Sequence, residues 1–108
     1  LGHVLVSQVG GGVGSVDRAL ALQGKSRRVV ARVSHFLMVP TLVARTDLVA
    51  ALSRRVAEAF ADPLKLQVLK PPIELPRATV GHAWHEQMEN DPGHRWLREL
   101  IARVAATL

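Results

Sequence analysis

Three short apolar runs, His3-Val4-Leu5-Val6-Ser7, Arg28-Val29-Val30-Ala31-Arg32-Val33 and Asp47-Leu48-Val49-Ala50-Ala51-Leu52, each lead towards a segment of helical character. Runs of this length, rich in β-branched residues, read as strands. The segments between them carry helix punctuation. Ser15 is a candidate N-cap for a helix through Val16, Ala19, Leu20 and Leu22, with Gly24 as a left-handed stop. Ser34 can cap a second helix containing Phe36, Leu37 and Val39, but Pro40 requires that helix to kink or to begin later. Ser53 precedes a third, through Val56, Ala59 and Phe60, ending near Asp62-Pro63. Strands alternating with helices predict an α/β fold, a mostly parallel sheet flanked by helices in three layers with right-handed crossovers.

The remaining third is organised by proline. Leu64 to Leu69 alternates apolar and polar residues, which predicts a half-exposed strand. Lys70 to Pro76 is a proline-framed extended linker, where we place a boundary between residues 1–76 and 77–108. Ala78, Val80 and Trp84 then share one face of a predicted strand. Asp91-Pro92 is an N-cap followed by proline at the first helical position, where the missing N–H costs nothing. Trp96, Leu97, Leu100, Ile101 and Val104 recur at helical spacing after it. Leaving such a stripe wet is unfavourable, because each buried side chain of this kind contributes about 1.5–3 kcal/mol. The stripe therefore calls for cover, from residues 1–76 or from a second copy of the chain.

Chemistry of several kinds is poorly served. The chain has no cysteine, which removes disulfides, thiolate catalysis and thiolate metal sites together. A reducing compartment fits that composition. The Gly10-Gly11-Gly12-Val13-Gly14-Ser15 cluster follows a strand and precedes a helix, but no Lys-Ser or Lys-Thr pair makes it a P-loop. It also lacks a clean G-x-G-x-x-G spacing and an acidic residue about 20 positions on. His82 and His85, three apart on a predicted strand, point to opposite faces and cannot chelate together. Ser34 and His35 are neighbours whose side chains diverge, and no Gly-x-Ser-x-Gly elbow is present. No enzyme, metal or cofactor is expected. The 14 Lys and Arg against 9 Asp and Glu invite a nucleic-acid reading, but the arginines are scattered and read as a solvated surface. No apolar run approaches the roughly 18 residues that span a membrane.

The ordered set Ser34-His35-Phe36-Leu37, Leu42-Val43-Ala44-Arg45-Thr46-Asp47-Leu48-Val49-Ala50, Leu52-Ser53-Arg54-Arg55, Pro76 through Trp84-His85 and Asp91-Pro92-Gly93-His94-Arg95-Trp96-Leu97-Arg98 resembles the C-terminal part of the effector-binding domain of LysR-type transcriptional regulators. The likeness is greatest to the branch of nodulation and aromatic-degradation regulators. A full-length regulator of this kind is roughly three times longer, so the sequence reads as a part of one. The resemblance implies a periplasmic-binding-protein-like fold. Residues 1–76 would be the second, distal subdomain, and residues 77–108 the return crossing strand and C-terminal helix of the first, with a small-molecule effector held in the cleft between the two subdomains. It implies a bacterial, cytoplasmic, homo-oligomeric regulator that reaches DNA only through an N-terminal helix-turn-helix outside this sequence.

Small molecules bind outside the carboxyl ends of strands in open α/β sheets. That edge offers Ser7 and Gln8 after the first strand and Ser34, His35 and Phe36 after the second, with His82 and Trp84 expected on the cleft floor. One imidazole, aromatic rings and hydroxyls suit a small aromatic or carboxylate effector. The family's effector cleft matches His35-Phe36 best. The competing reading is a solute-binding protein of a transporter, which shares the subdomain fold.

Overall fold

The structure is a computed structural model that describes residues 1–7 and 13–108. It divides into two compact units, Leu1–Arg77 and Ala78–Leu108.

In the first unit, β1 (Gly2–Val6), β2 (Arg28–Val33) and β3 (Val49–Ala50) form a parallel sheet in the order β2-β1-β3. The central strand is the buried one: Gly2 is buried and Val4 and Leu5 are 2% and 6% exposed, while Val39 and Pro40, which follow β2 in the chain, are also buried. Gly2 is there because nothing larger fits. A Cβ at that position would lie 2.6 Å from Val30 Cγ2 and 2.7 Å from Leu48 Cδ2. On the β2 edge, alternate residues from Arg28 are exposed and those from Val29 half-buried, as a strand with one covered face requires. The flanked parallel sheet confirms the α/β architecture.

Helix α1 (Ser15–Ala21) is capped by Gly14 rather than Ser15. The Gly14 N–H donates to the Asp17 carboxylate at 3.1 Å, so the acidic residue in the first turn does the capping work. The helix stops as its sequence indicates: Gly24 adopts φ +66°, with Gly24 N–H donating to Ala21 O and Lys25 N–H to Leu20 O. Past β2, a 3-10 turn (Phe36–Met38) precedes α2 (Val39–Ala44), so the helix begins late and Pro40 sits in its first turn. Helix α3 (Arg54–Leu64) starts after Ser53 and accommodates Pro63 in its last turn.

The α3 terminus uses the same pair of bonds, Leu66 N–H to Ala61 O and Lys65 N–H to Asp62 O, but a lysine occupies the left-handed position at φ 54°, ψ 43°. A side chain there costs about 1 kcal/mol relative to glycine. Lys65→Gly is therefore expected to raise the urea midpoint, by a stabilisation of about 0.5–1 kcal/mol, and a fall in the midpoint would contradict the geometry.

Two strands expected from the sequence do not form. Leu64 closes α3, and residues 66–69 carry no strand pairing. The segment from Ala78 to His85 has strand-like alternation yet no ladder partner among the described residues. Alternation marks a residue's fitness for a sheet, but a strand exists only where a neighbour supplies the other half of its hydrogen bonds. The third apolar run is likewise shorter than its pattern, reduced to Val49–Ala50.

In the second unit, a 3-10 turn (Glu86–Met88) leads into α4 (Pro92–Ala106). Asp91 is the N-cap, its Oδ1 accepting from the His94 N–H at 2.7 Å. Along α4, Trp96, Leu97, Ile101 and Val104 are exposed while Leu100 is half-buried.

Candidate functional site

Parallel pairing aligns the carboxyl ends of β1 and β2, with Val6 opposite Val33. One further bond, Ser7 N–H to Val33 O at 2.9 Å, carries the alignment past the strand ends. Ser7 and the Ser34-His35-Phe36 segment thus emerge at one edge of the sheet. Ser34 and His35 are exposed, and Phe36 is 48% exposed. His35 has extended backbone (φ −120°, ψ 120°) and caps the 3-10 turn through its carbonyl, which accepts from Met38 N–H. The cap of this turn is therefore His35, where the sequence suggested Ser34. No side-chain cap bond is made, so the imidazole is not spent on the turn. Gln8 and the Gly10–Gly12 cluster lie outside the described residues.

An ion pair ties the first turn of α1 to Arg27, the residue before β2. Arg27 Nε donates to Asp17 Oδ1 at 2.8 Å and Nη2 to Oδ2 at 2.9 Å, a two-pronged contact. The Arg27 side chain is only 5% exposed, against 23% for Asp17. Reading all the arginines as solvated surface was wrong at this position. Arg27's hydrogen bonds hold the Asp17 carboxyl below its usual range. His3 is also held below the ordinary imidazole value, by burial first and by the Arg27 charge second.

His82 and Trp84 belong to the second unit. Their rings are 5.3 Å apart and tilted by 59°. The Trp84 indole N–H donates to Glu89 Oε2 at 2.6 Å, and the Arg98 guanidinium lies 4.3 Å from the ring centre. Trp84 thus already has a hydrogen-bond acceptor and a cation on its face, as an anchoring residue would. In the sequence Arg98 has no role beyond its place in the family resemblance; its four-residue spacing from His94 on one helix face is the signal that could have found the contact.

Two shallow surface depressions lie elsewhere, one lined by Leu37, Met38, Thr41, Leu42 and Arg45, the other by Lys70 to Glu74. Among the described residues no three histidine or carboxylate side chains converge as a metal site would require. No helix among them is long and apolar enough to cross a membrane.

The parallel sheet flanked by helices places the chain in the α/β class. Comparison with known proteins narrows it: residues 2–106 match the model of the LysR substrate binding domain. The chain is 35% identical over 100 residues to the HTH-type transcriptional activator NahR of Pseudomonas putida, covering 93% of this chain and 33% of NahR. It is 45% identical over 73 residues to the HTH-type transcriptional regulator SyrM 1 of Sinorhizobium fredii, covering 68% and 22% respectively. The crystal structure of the regulatory domain of MexT, a transcriptional activator in Pseudomonas aeruginosa, superposes with a TM-score of 0.74 at 34% identity, covering 94% of this chain and 51% of that one. The chain belongs to the LysR substrate-binding-domain family, and it spans about a third of NahR's length. These relatives are named as transcriptional activators and regulators, not as enzymes.

Proposed function

We propose that this chain is the effector-sensing part of a bacterial LysR-type regulator. It would bind a small aromatic or carboxylate molecule at the carboxyl edge of its sheet and thereby modulate DNA binding by a helix-turn-helix domain outside this sequence. The observation that carries the reading is the Ser7–Val33 bond, which brings a hydroxyl, an imidazole and a half-exposed phenyl ring to one sheet edge in a member of this family. Ser7, Ser34, His35 and Phe36 are the proposed contacts. Gln8 is retained from sequence alone, and His82 and Trp84 join the proposal through the family resemblance alone.

The division of labour follows the same reading. Residues 1–76 act as the distal subdomain, and residues 77–108 as the crossing segment and C-terminal helix of the other. An effector shifts the arrangement of the subdomains only if it binds one arrangement more tightly than another. The regulator would work in the cytoplasm as a homo-oligomer.

Titration of the amide-labelled chain with benzoate, a simple aromatic carboxylate, tests the site. The expected result is chemical-shift change concentrated at Ser7, Ser34, His35 and Phe36. His35→Ala and Phe36→Ala should each weaken binding by about tenfold, the equivalent of about 1.4 kcal/mol. Shifts confined to the Leu37–Arg45 depression, or none at millimolar benzoate, would overturn the proposal.

A further inference from the structure

Two imidazoles in the second unit serve as hydrogen-bond acceptors. The Gln87 N–H donates to His85 Nδ1 at 3.2 Å, capping the Glu86–Met88 turn. Arg98 Nη1 lies 2.6 Å from His94 Nδ1. A backbone N–H and a guanidinium can only donate, so both Nδ1 atoms must present lone pairs and both rings carry their proton on Nε2. A protonated imidazole donates from both nitrogens and accepts at neither. Either contact is therefore lost when its ring takes up a proton. At His94, protonation would also set two cations side by side.

Arg98 does more than meet His94. Its Nη1 donates to Met88 O at 3.1 Å and its Nη2 to Glu89 O at 3.0 Å, while its guanidinium covers the Trp84 ring. One side chain thus ties the end of the 3-10 turn and the indole to α4. The other charged groups around this corner hold it from several sides. Glu89 accepts from the Trp84 indole, Asp91 caps α4 through the His94 backbone, and Arg95 Nη2 reaches Glu89 O at 3.5 Å. Glu86 lies in the turn itself, and the His82 ring stands beside Trp84.

From this geometry we infer that the corner joining Trp84 to α4 is a proton-sensitive clasp. It is closed while His85 and His94 are neutral and released when they are protonated. Imidazole is the side chain that changes charge between about pH 5 and 8, and that range is the one the experiment covers. The inference is independent of the effector reading and survives its failure.

The test follows Trp84 emission and acrylamide quenching from pH 8 to pH 5 in the 108-residue chain carrying Trp96→Phe and His82→Gln. These changes remove the second indole and the imidazole that could quench Trp84 directly. The expected result is a reversible red shift and increased quenching on acidification, lost when His94→Gln and His85→Asn are added together. Each replacement offers a neutral acceptor at every pH. Far-UV circular dichroism across the same range separates clasp release from unfolding. Emission independent of pH in the starting variant would overturn the clasp, as would a transition unchanged by the two histidine replacements.

Discussion

Asp17→Asn is expected to destabilise the chain by about 3 kcal/mol, on the order of 15 °C in Tm. The replacement leaves Arg27 charged, 5% exposed and without its anionic partner. Breaking a buried pair from one side costs about 3–5 kcal/mol, and the lower end applies because Asp17 keeps 23% exposure. The same change also loosens α1, whose Gly14 N–H loses a carboxylate acceptor. Arg27→Lys should cost less, since the charge remains and only the fork is lost. Arg54→Ala provides the contrast: the Arg54–Glu58 pair is 3.9 Å apart with both side chains largely exposed, so its loss should change stability by less than about 0.5 kcal/mol.

The ion pair also fixes a pH signature. Asp17's native pKa is depressed, so the unfolded chain takes up that proton at the higher pH. Its contribution is complete above about pH 4 and disappears as pH falls through the native value. His3, also depressed, contributes stability that is complete above about pH 6.5 and lost as pH falls below it. Urea midpoints measured against pH should therefore decline in two stages on acidification. Asp17→Asn should flatten only the lower stage. A variant curve parallel to the wild type below pH 4 would contradict the assignment.

The second large effect is expected at Val39. This side chain is fully buried at the start of α2, beside buried Pro40. Val39→Ala should cost about 2 kcal/mol through lost burial and a residual cavity. Val39→Asp should cost several kcal/mol more, because a carboxylate there has no water around it. We expect that variant to lose its cooperative urea transition. Met38, the preceding residue, is 58% exposed, and Met38→Asp should change stability by no more than about 0.5 kcal/mol. Equal effects at the two neighbours would show that the turn into α2 is placed wrongly.

These residues show where sequence reasoning reaches its limit. Gly24, Asp91-Pro92 and the Arg28–Val33 strand were legible because the physics that fixes them is local: a left-handed turn, a cap, a β-branched run. Ser7, Ser34, His35 and Phe36 could be assigned to one edge because strand ends and sheet polarity follow from alternation. The Arg27–Asp17 pair spans ten residues and two elements, and no pattern in the sequence distinguishes Arg27 from the exposed Arg28 beside it. The strand-like spacing of Trp84 was visible in the sequence, whereas its contact with Arg98, fourteen residues on, was not.

The sequence by itself determined the alternation of the first three strands with helices, the Gly24 stop, the Asp91 cap and the family to which the chain belongs. Those depend on short-range sterics, hydrogen bonding and residue order. Tertiary structure alone decided which alternating segments become strands, which arginine is buried and which histidines act as acceptors. Each of those outcomes requires a partner from elsewhere in the chain. Pairing energy depends on distance and geometry that residue order does not encode locally.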